Sequence, residues 1–170
     1  MNTSQQPPAI DPASLRFNVC FLTHGDEVLM LRRNKAPNRG LWNGVGGHIE
    51  PGETPLASVL REVQEETGCR LDTARFAGLL TWRGYEIEDG GLYLFTAETP
   101  HFDPPLTPEG ELAWKPADWV CSHPQSVSNI HIFGPLILRG AAPQVYHFDY
   151  EQGRILAHAR YPLPDWVTVG

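Results

Sequence analysis

Three glutamates, Glu62, Glu65 and Glu66, stand at i, i+3 and i+4 in a stretch where Leu56, Val59, Leu60 and Val63 recur at helical spacing. On a helix, that spacing sets the carboxylates on one face, opposite the apolar stripe. Like charges so placed cost a few tenths of a kcal/mol per pair, so three glutamates alone describe an ordinary solvated face. The backbone ahead of them changes the reading. Residues 34–47, NKAPNRGLWNGVGG, form a glycine-rich run that leads into the helix. Glycine-rich backbone beside hard oxygen ligands can hold Mg²⁺ or Mn²⁺, which take carboxylate, carbonyl and water oxygens. Phosphate oxygens can complete such a shell, and the cation then offsets charge on a leaving phosphate. Metal-assisted cleavage of a phosphoanhydride is the chemistry these residue types would support.

The elements that must position these groups can be read around them. Thr54 suits the N-cap of the helix, Pro55 its first position and Gly68 its end. FNVCFLT (17–23) and EVLMLRR (27–33) are apolar, β-leaning runs around His24-Gly25-Asp26, the pattern of a hairpin. ARFAGLLTWRGYEIE (74–88) and GLYLFTAE (91–98) flank Asp89-Gly90-Gly91 in the same way. A proline-rich loop, HFDPPLTPEG (101–110), leads into ELAWKPADWV (111–120). Residues 127–138 read as a second helix, although Gly134 and Pro135 lie inside it. QVYHFDYEQGRILAHAR (144–160) closes the chain with a hairpin around Glu151-Gln152-Gly153. Strands outnumber helices, and the pattern implies α/β architecture with helices packed on a mixed sheet.

Composition bounds the partners. A chain of 170 residues suits one domain, expected over residues 15–170 behind a polar, proline-rich flexible tail at 1–14. The formal net charge of -7, with no basic stripe, argues against a nucleic-acid polymer but leaves room for a small anion bound through cations. Cys20, Cys69 and Cys121 are odd in number and lack metal-type spacing, which fits a reducing cytoplasmic setting. No apolar run nears the roughly 20 residues of a membrane span, so no membrane partner is expected.

Gly47, five residues, Glu53, seven residues and then Arg61-Glu62-Val63-Gln64-Glu65-Glu66-Thr67-Gly68-Cys69 resemble the Nudix box, G-x5-E-x7-R-E-U-x-E-E-x-G-U with U apolar. Every fixed position matches, with Cys69 standing in for the commoner Ile, Leu or Val. The resemblance implies the Nudix α/β/α sandwich with a mixed β-sheet and a catalytic loop-helix-loop. It also implies Mg²⁺ (or Mn²⁺) held by Glu62, Glu65, Glu66 and the Gly46 carbonyl. Arg61 and Glu53 would be the pair that orients those ligands.

Outside the box, Leu41-Trp42-Asn43-Gly44-Val45-Gly46-Gly47 is similar to the W-N-G-x-G-G segment of the MutT-like branch, which hydrolyses oxidised purine nucleoside triphosphates. This implies a base contact for Asn43, against a turn-forming role, and more weakly for Asn129 near Pro135. Glu109, five residues before Trp114, resembles the loop carboxylate that serves as auxiliary ligand or general base, with Glu111 its rival. The adjacent Asp pair with which mammalian members grip an oxidised purine is absent from residues 126–130. His48 stands where many members have Lys. Trp82, Trp119 and Trp166 read as packing residues.

The resemblance thus implies hydrolysis of a nucleoside triphosphate, with 8-oxo-dGTP one candidate, by a monomer or homodimer. The same box allows a nucleotide sugar, a nucleoside diphosphate or a dinucleoside polyphosphate. A nucleotide-sensing module would be expected to have lost box glutamates, and all are kept.

Overall fold

Two strands that diverge create the place where the box docks. In the computed structural model, which describes residues 6–170, β1 (Leu15–His24) and β2 (Glu27–Arg33) meet at a turn where Gly25 takes a φ of 56°. They pair only from Leu22 opposite Leu29 to His24 opposite Glu27. Beyond that they part, and the glycine-rich segment fills the gap. Its β3 (Trp42–Asn43) pairs with Arg32 and Leu31 of β2, whereas Val45 bridges to Cys20 and His48 to Phe17 on β1. The Asn18 N–H donates to the Gly47 carbonyl at 2.9 Å, and the Ile49 N–H to the Arg16 carbonyl at 2.9 Å. A side chain could not follow this path. A Cβ at Gly44 would lie 2.8 Å from the Cys20 carbonyl oxygen, and one at Gly46 would strike the Asn18 carbonyl.

The sheet continues with β4 (Arg75–Arg83), β5 (Gly90–Glu98), β6 (Gly110–Pro116), β7 (Gln144–Glu151) and β8 (Arg154–Tyr161). The strand order is β3-β2-β1-β5-β4-β7-β8, with β6 on β2. β1 with β5 and β4 with β7 are parallel and the remaining pairs antiparallel, which makes the sheet mixed. One face packs Cys20, Leu29, Leu79, Phe95 and Val145 against Val59 and Val63 of α1 (Pro55–Thr67). The other packs Phe21, Met30, Leu94, Tyr146 and Phe148 against Val120 of α2 (Ala117–Val120) and Ile130, Phe133 and Ile137 of α3 (Ile130–Leu138). These layers are the expected α/β/α sandwich.

α1 forms as its sequence dictates. Thr54 Oγ1 accepts from the Ala57 N–H at 3.1 Å, Pro55 occupies the first turn, and Gly68 ends the helix in the left-handed conformation at φ 72°. Val59 and Val63 are fully buried, worth about 1.5–3 kcal/mol each by transfer.

Several boundaries differ from expectation. β4 ends at Arg83 because Gly84 turns at φ 72°, and Gly90 and Gly91 lie within β5 instead of forming the turn. α3 starts at Ile130, since residues 125–127 are drawn into β-like contact: the Trp42 N–H donates to the Gln125 carbonyl and the Val127 N–H to the Trp42 carbonyl. Pro135 sits inside α3 without breaking it. Of the expected tail, residues 1–5 lie outside the described residues. Pro12–Ser14 form a 3₁₀ turn capped by Asp11, and Ile10 packs against the α1-side core.

Candidate active site

α1 sends its carboxylates in two directions. Glu66, 8% exposed, turns toward the glycine segment and accepts a hydrogen bond from the Gly46 N–H at 3.1 Å. Glu62 lies under Gly47, so close that a Cβ there would be 2.6 Å from its carboxyl carbon. Glu65 instead faces solvent, 60% exposed, and accepts from Arg61 Nη1 at 3.2 Å. The sequence set all three opposite the apolar stripe. The helix is docked so that Glu66 shares the buried side with Val59 and Val63.

Arg61 is the clamp of the box. Its guanidinium forks onto Glu53, Nε to Oε1 at 2.5 Å and Nη2 to Oε2 at 2.9 Å, while Nη1 reaches Glu62 Oε1 at 3.0 Å. Nη2 also donates to the His48 carbonyl at 3.1 Å, which ties the loop to the helix. A planar fork that satisfies two carboxylates is a task lysine cannot perform.

The electrostatics follow from these contacts. Hydrogen bonds from Arg61 hold the Glu53 carboxyl down at about 2. Burial pushes Glu66 up to about 8, because its Gly46 hydrogen bond only partly offsets desolvation and Glu62 and Glu109 add like charge. Burial also raises Glu62, against Arg61. The pocket therefore contains two acids that burial disfavours as anions; Glu62 is paired with Arg61, whereas Glu66 has no ion pair among the described residues.

A cavity of about 530 Å³ takes in Glu62, Glu66, Gly46, Asn43, Glu109 and Asn129 together, and its size suits a nucleotide. Glu53, Arg61 and Glu65 stand beside it, joined through the Arg61–Glu62 contact. Glu109 reaches in from the loop before β6 and pairs with Lys35 at 2.9 Å. Glu111 points elsewhere, 64% exposed and 4.0 Å from Arg32. Asn43 Oδ1 accepts from the Gly44 N–H at 2.8 Å, an Asx contact, and Asn129 Nδ2 donates to the Tyr150 hydroxyl at 3.1 Å.

Phe17, Trp82, Tyr85, Phe133 and Tyr150 supply apolar wall, with Tyr85 and Tyr150 ring centroids 4.5 Å apart. Trp82, expected as a packing residue, is thus also part of the lining. Sequence reasoning missed Asn18, Arg33, Lys35 and the tyrosines: Arg33 and Lys35 sit at the start of the glycine run, whereas Asn18 on β1, Tyr85 after β4 and Tyr150 on β7 carry no local signal.

The donor set fits a hard divalent cation. It offers the Glu62 and Glu66 carboxylates, the Gly46 backbone beside them and a buried amide oxygen, that of Asn18, with no hydrogen-bond partner. Among the described residues, no three His, Cys, Asp or Glu side chains close around one point. A cation here would draw its remaining ligands from backbone, water or phosphate.

Comparison with known proteins agrees with this geometry. The NUDIX domain family matches residues 14–130. The Nudix hydrolase YvcI of Bacillus subtilis is 30% identical over 69% of this chain and 75% of its own length. The chain belongs to the Nudix family. Within it the chain is MutT-like: a mutator MutT protein from Bacillus halodurans superposes with a TM-score of 0.69 at 28% identity, over 88% of this chain and 99% of that one. The human 8-oxo-dGDP phosphatase NUDT18 is 45% identical over 73 residues, 39% of this chain but only 22% of that protein's length. Among the described residues, no helix is long and apolar enough to cross a membrane.

Proposed function

We propose that this chain hydrolyses a phosphoanhydride bond in a nucleoside triphosphate, with an oxidised purine such as 8-oxo-dGTP as candidate, to give the monophosphate and pyrophosphate. The observation that carries the reading is the convergence of Glu62, Glu66 and Glu109 on one cavity that also has aromatic walls and the amides of Asn43 and Asn129. When bound, Mg²⁺ (or Mn²⁺) supplies positive charge against the phosphate oxygens and the departing group. Gly46, Glu62, Glu65 and Glu66 would hold it. Arg61 and Glu53 position the set, and Glu109 accepts a proton from the attacking water. Asn43 and Asn129 present amide donors and acceptors to the base edge.

A second reading, a nucleoside diphosphate substrate that yields the monophosphate and orthophosphate, is favoured by the 45% identity to a human protein named as an 8-oxo-dGDP phosphatase. Assaying pyrophosphate against orthophosphate release from dGTP, 8-oxo-dGTP, dGDP and 8-oxo-dGDP, with ADP-ribose as a further arm, separates the two. Pyrophosphate from the triphosphates supports the first reading. Orthophosphate from the diphosphates alone would replace it with the second, and turnover of ADP-ribose alone would overturn both. Without an Asp pair near Asn129, the kcat/KM advantage of the oxidised triphosphate should stay below about a thousandfold, or 4 kcal/mol.

A further inference from the structure

We propose that Asn18 on β1 belongs to the cation site, with its side-chain amide oxygen as a neutral acceptor facing the cation and its bound waters. The proposal rests on the cation reading above but concerns a residue outside the box, on an element the box only abuts.

Asn18 is 1% exposed, yet it lines the cavity that holds Glu62 and Glu66. Its amide is held at one end only. Nδ2 donates to Ser58 Oγ on α1 at 2.8 Å, and the Ser58 hydroxyl donates in turn to the His48 carbonyl at 3.2 Å. With the hydroxyl proton committed to His48, Ser58 receives from Asn18, and Oδ1 is the end left free. That oxygen is buried and has no hydrogen-bond partner among the described residues. A buried acceptor left unpaired costs about 1–3 kcal/mol, so a chain that keeps one has something to place against it.

Its position says what. A Cβ on Gly46 would lie 2.9 Å from Asn18 Oδ1, and the Gly46 N–H holds Glu66 Oε2 at 3.1 Å. The free oxygen thus stands next to the residue that, among the described residues, touches a cavity carboxylate through its backbone. The remaining buried orphans among the described residues are different: Arg16 is 38% exposed and its Nη1 pairs with Glu88, and Thr99 lies away from the cavity. An amide oxygen suits Mg²⁺ or Mn²⁺, which accept neutral carbonyl-type ligands and keep several waters that need acceptors. A third carboxylate at this point would add like charge beside Glu66, which burial already disfavours as an anion. A neutral oxygen extends the donor set without that penalty.

The test is Mn²⁺ binding to the full chain without substrate, followed by the electron paramagnetic resonance of free Mn²⁺, with metal-free thermal unfolding alongside. Asn18→Leu removes the oxygen at nearly constant volume and should weaken Mn²⁺ about tenfold or more. Ser58→Ala removes the hydrogen bond but leaves the oxygen, and should bind within about threefold of wild type. If Asn18→Leu does not fold, Asn18→Ala takes its place in the same titration.

Wild-type affinity in the folded Asn18 variant overturns the proposal and leaves the oxygen to a structural water. Equal loss in Ser58→Ala also overturns it, because the strand-to-helix tie would then be what matters. No Mn²⁺ binding by the wild type would instead sink the cation reading itself, a distinguishable result.

Discussion

At the scale of single residues, the site is a set of carboxylates held apart in charge state by their surroundings. Glu53, gripped by Arg61, is held at about 2, while buried Glu66 is pushed up to about 8. The second shift makes a prediction about stability in the absence of metal. Folded Glu66 binds its proton more tightly than the same group in the unfolded chain, near 4.5. The stability it contributes is therefore fully present below about pH 4.5 and is lost as pH rises through about 8. Glu66→Gln cannot titrate. In EDTA, it should melt several degrees above wild type at pH 8.5, with the gap narrowing toward pH 5. A gap that does not change with pH would mean that Glu66 is not desolvated. In saturating Mg²⁺ the same variant should lose about a hundredfold in kcat, and near-normal turnover would remove Glu66 from the machinery.

Arg61→Lys keeps the charge but not the fork onto Glu53 and Glu62. It should cost about 10 to 100-fold in kcat/KM while the far-ultraviolet circular dichroism stays that of wild type. Unchanged kinetics would show that charge alone suffices.

At the scale of elements, the glycine segment wedged between β1 and β2 is the part with least tolerance, and adjacent glycines in it should respond differently. A Cβ at Gly46 meets the Asn18 main-chain carbonyl, which cannot move without shifting β1. Gly46→Ala should therefore lower the melting temperature markedly, by about 2 kcal/mol or more of stability. At Gly47 the obstacle is the Glu62 carboxyl at 2.6 Å, the far end of a flexible side chain. Gly47→Ala should fold nearly normally yet weaken Mg²⁺ and turnover together, because the carboxylate is displaced. Equal stability for the two variants would contradict the wedge geometry. The helix itself rests on local signals: Thr54→Ala removes the bond to the Ala57 N–H and should cost about 1 kcal/mol in thermal or denaturant unfolding.

At the scale of the whole molecule, cation binding and folding are coupled through the same buried acids. A ligand that binds only the folded chain raises its melting temperature, and a proton on Glu66 competes with that ligand. Saturating Mg²⁺ should thus stabilise the protein more at pH 8.5 than at pH 6, with protons released on binding below about pH 8. Calorimetry in two buffers of different ionisation enthalpy measures that release, and none at pH 6.5 would refute the coupling. The fold also explains why nucleotide contacts come from distant stretches. β4 and β7 are parallel neighbours, so Trp82 and Tyr150 reach one cavity with Phe17 of β1 and Phe133 of α3.

The sequence by itself determined the helix and its caps and, through the resemblance its box carries, the sandwich class. Capping by Thr54 and Gly68 and the period of Val59 and Val63 are local properties, and the box spacing places its residues on that one helix and the loop before it. The closing hairpin was equally legible, from two β-type runs around Glu151-Gln152-Gly153, whereas the left-handed φ of 50° at Gln152 beside Gly153 is seen only in the structure. Tertiary structure decided which carboxylates turn inward. How a helix docks on a sheet depends on the whole interface, so Glu66 became buried and Glu65 exposed although both belong to one motif. It also decided the contacts between remote segments, Lys35 with Glu109 and Asn18 with Ser58. Those arise where a helix packs on a strand, as Ser58 of α1 does on Asn18 of β1, or where two loops meet, as at Lys35 and Glu109, and no short-range spacing records them.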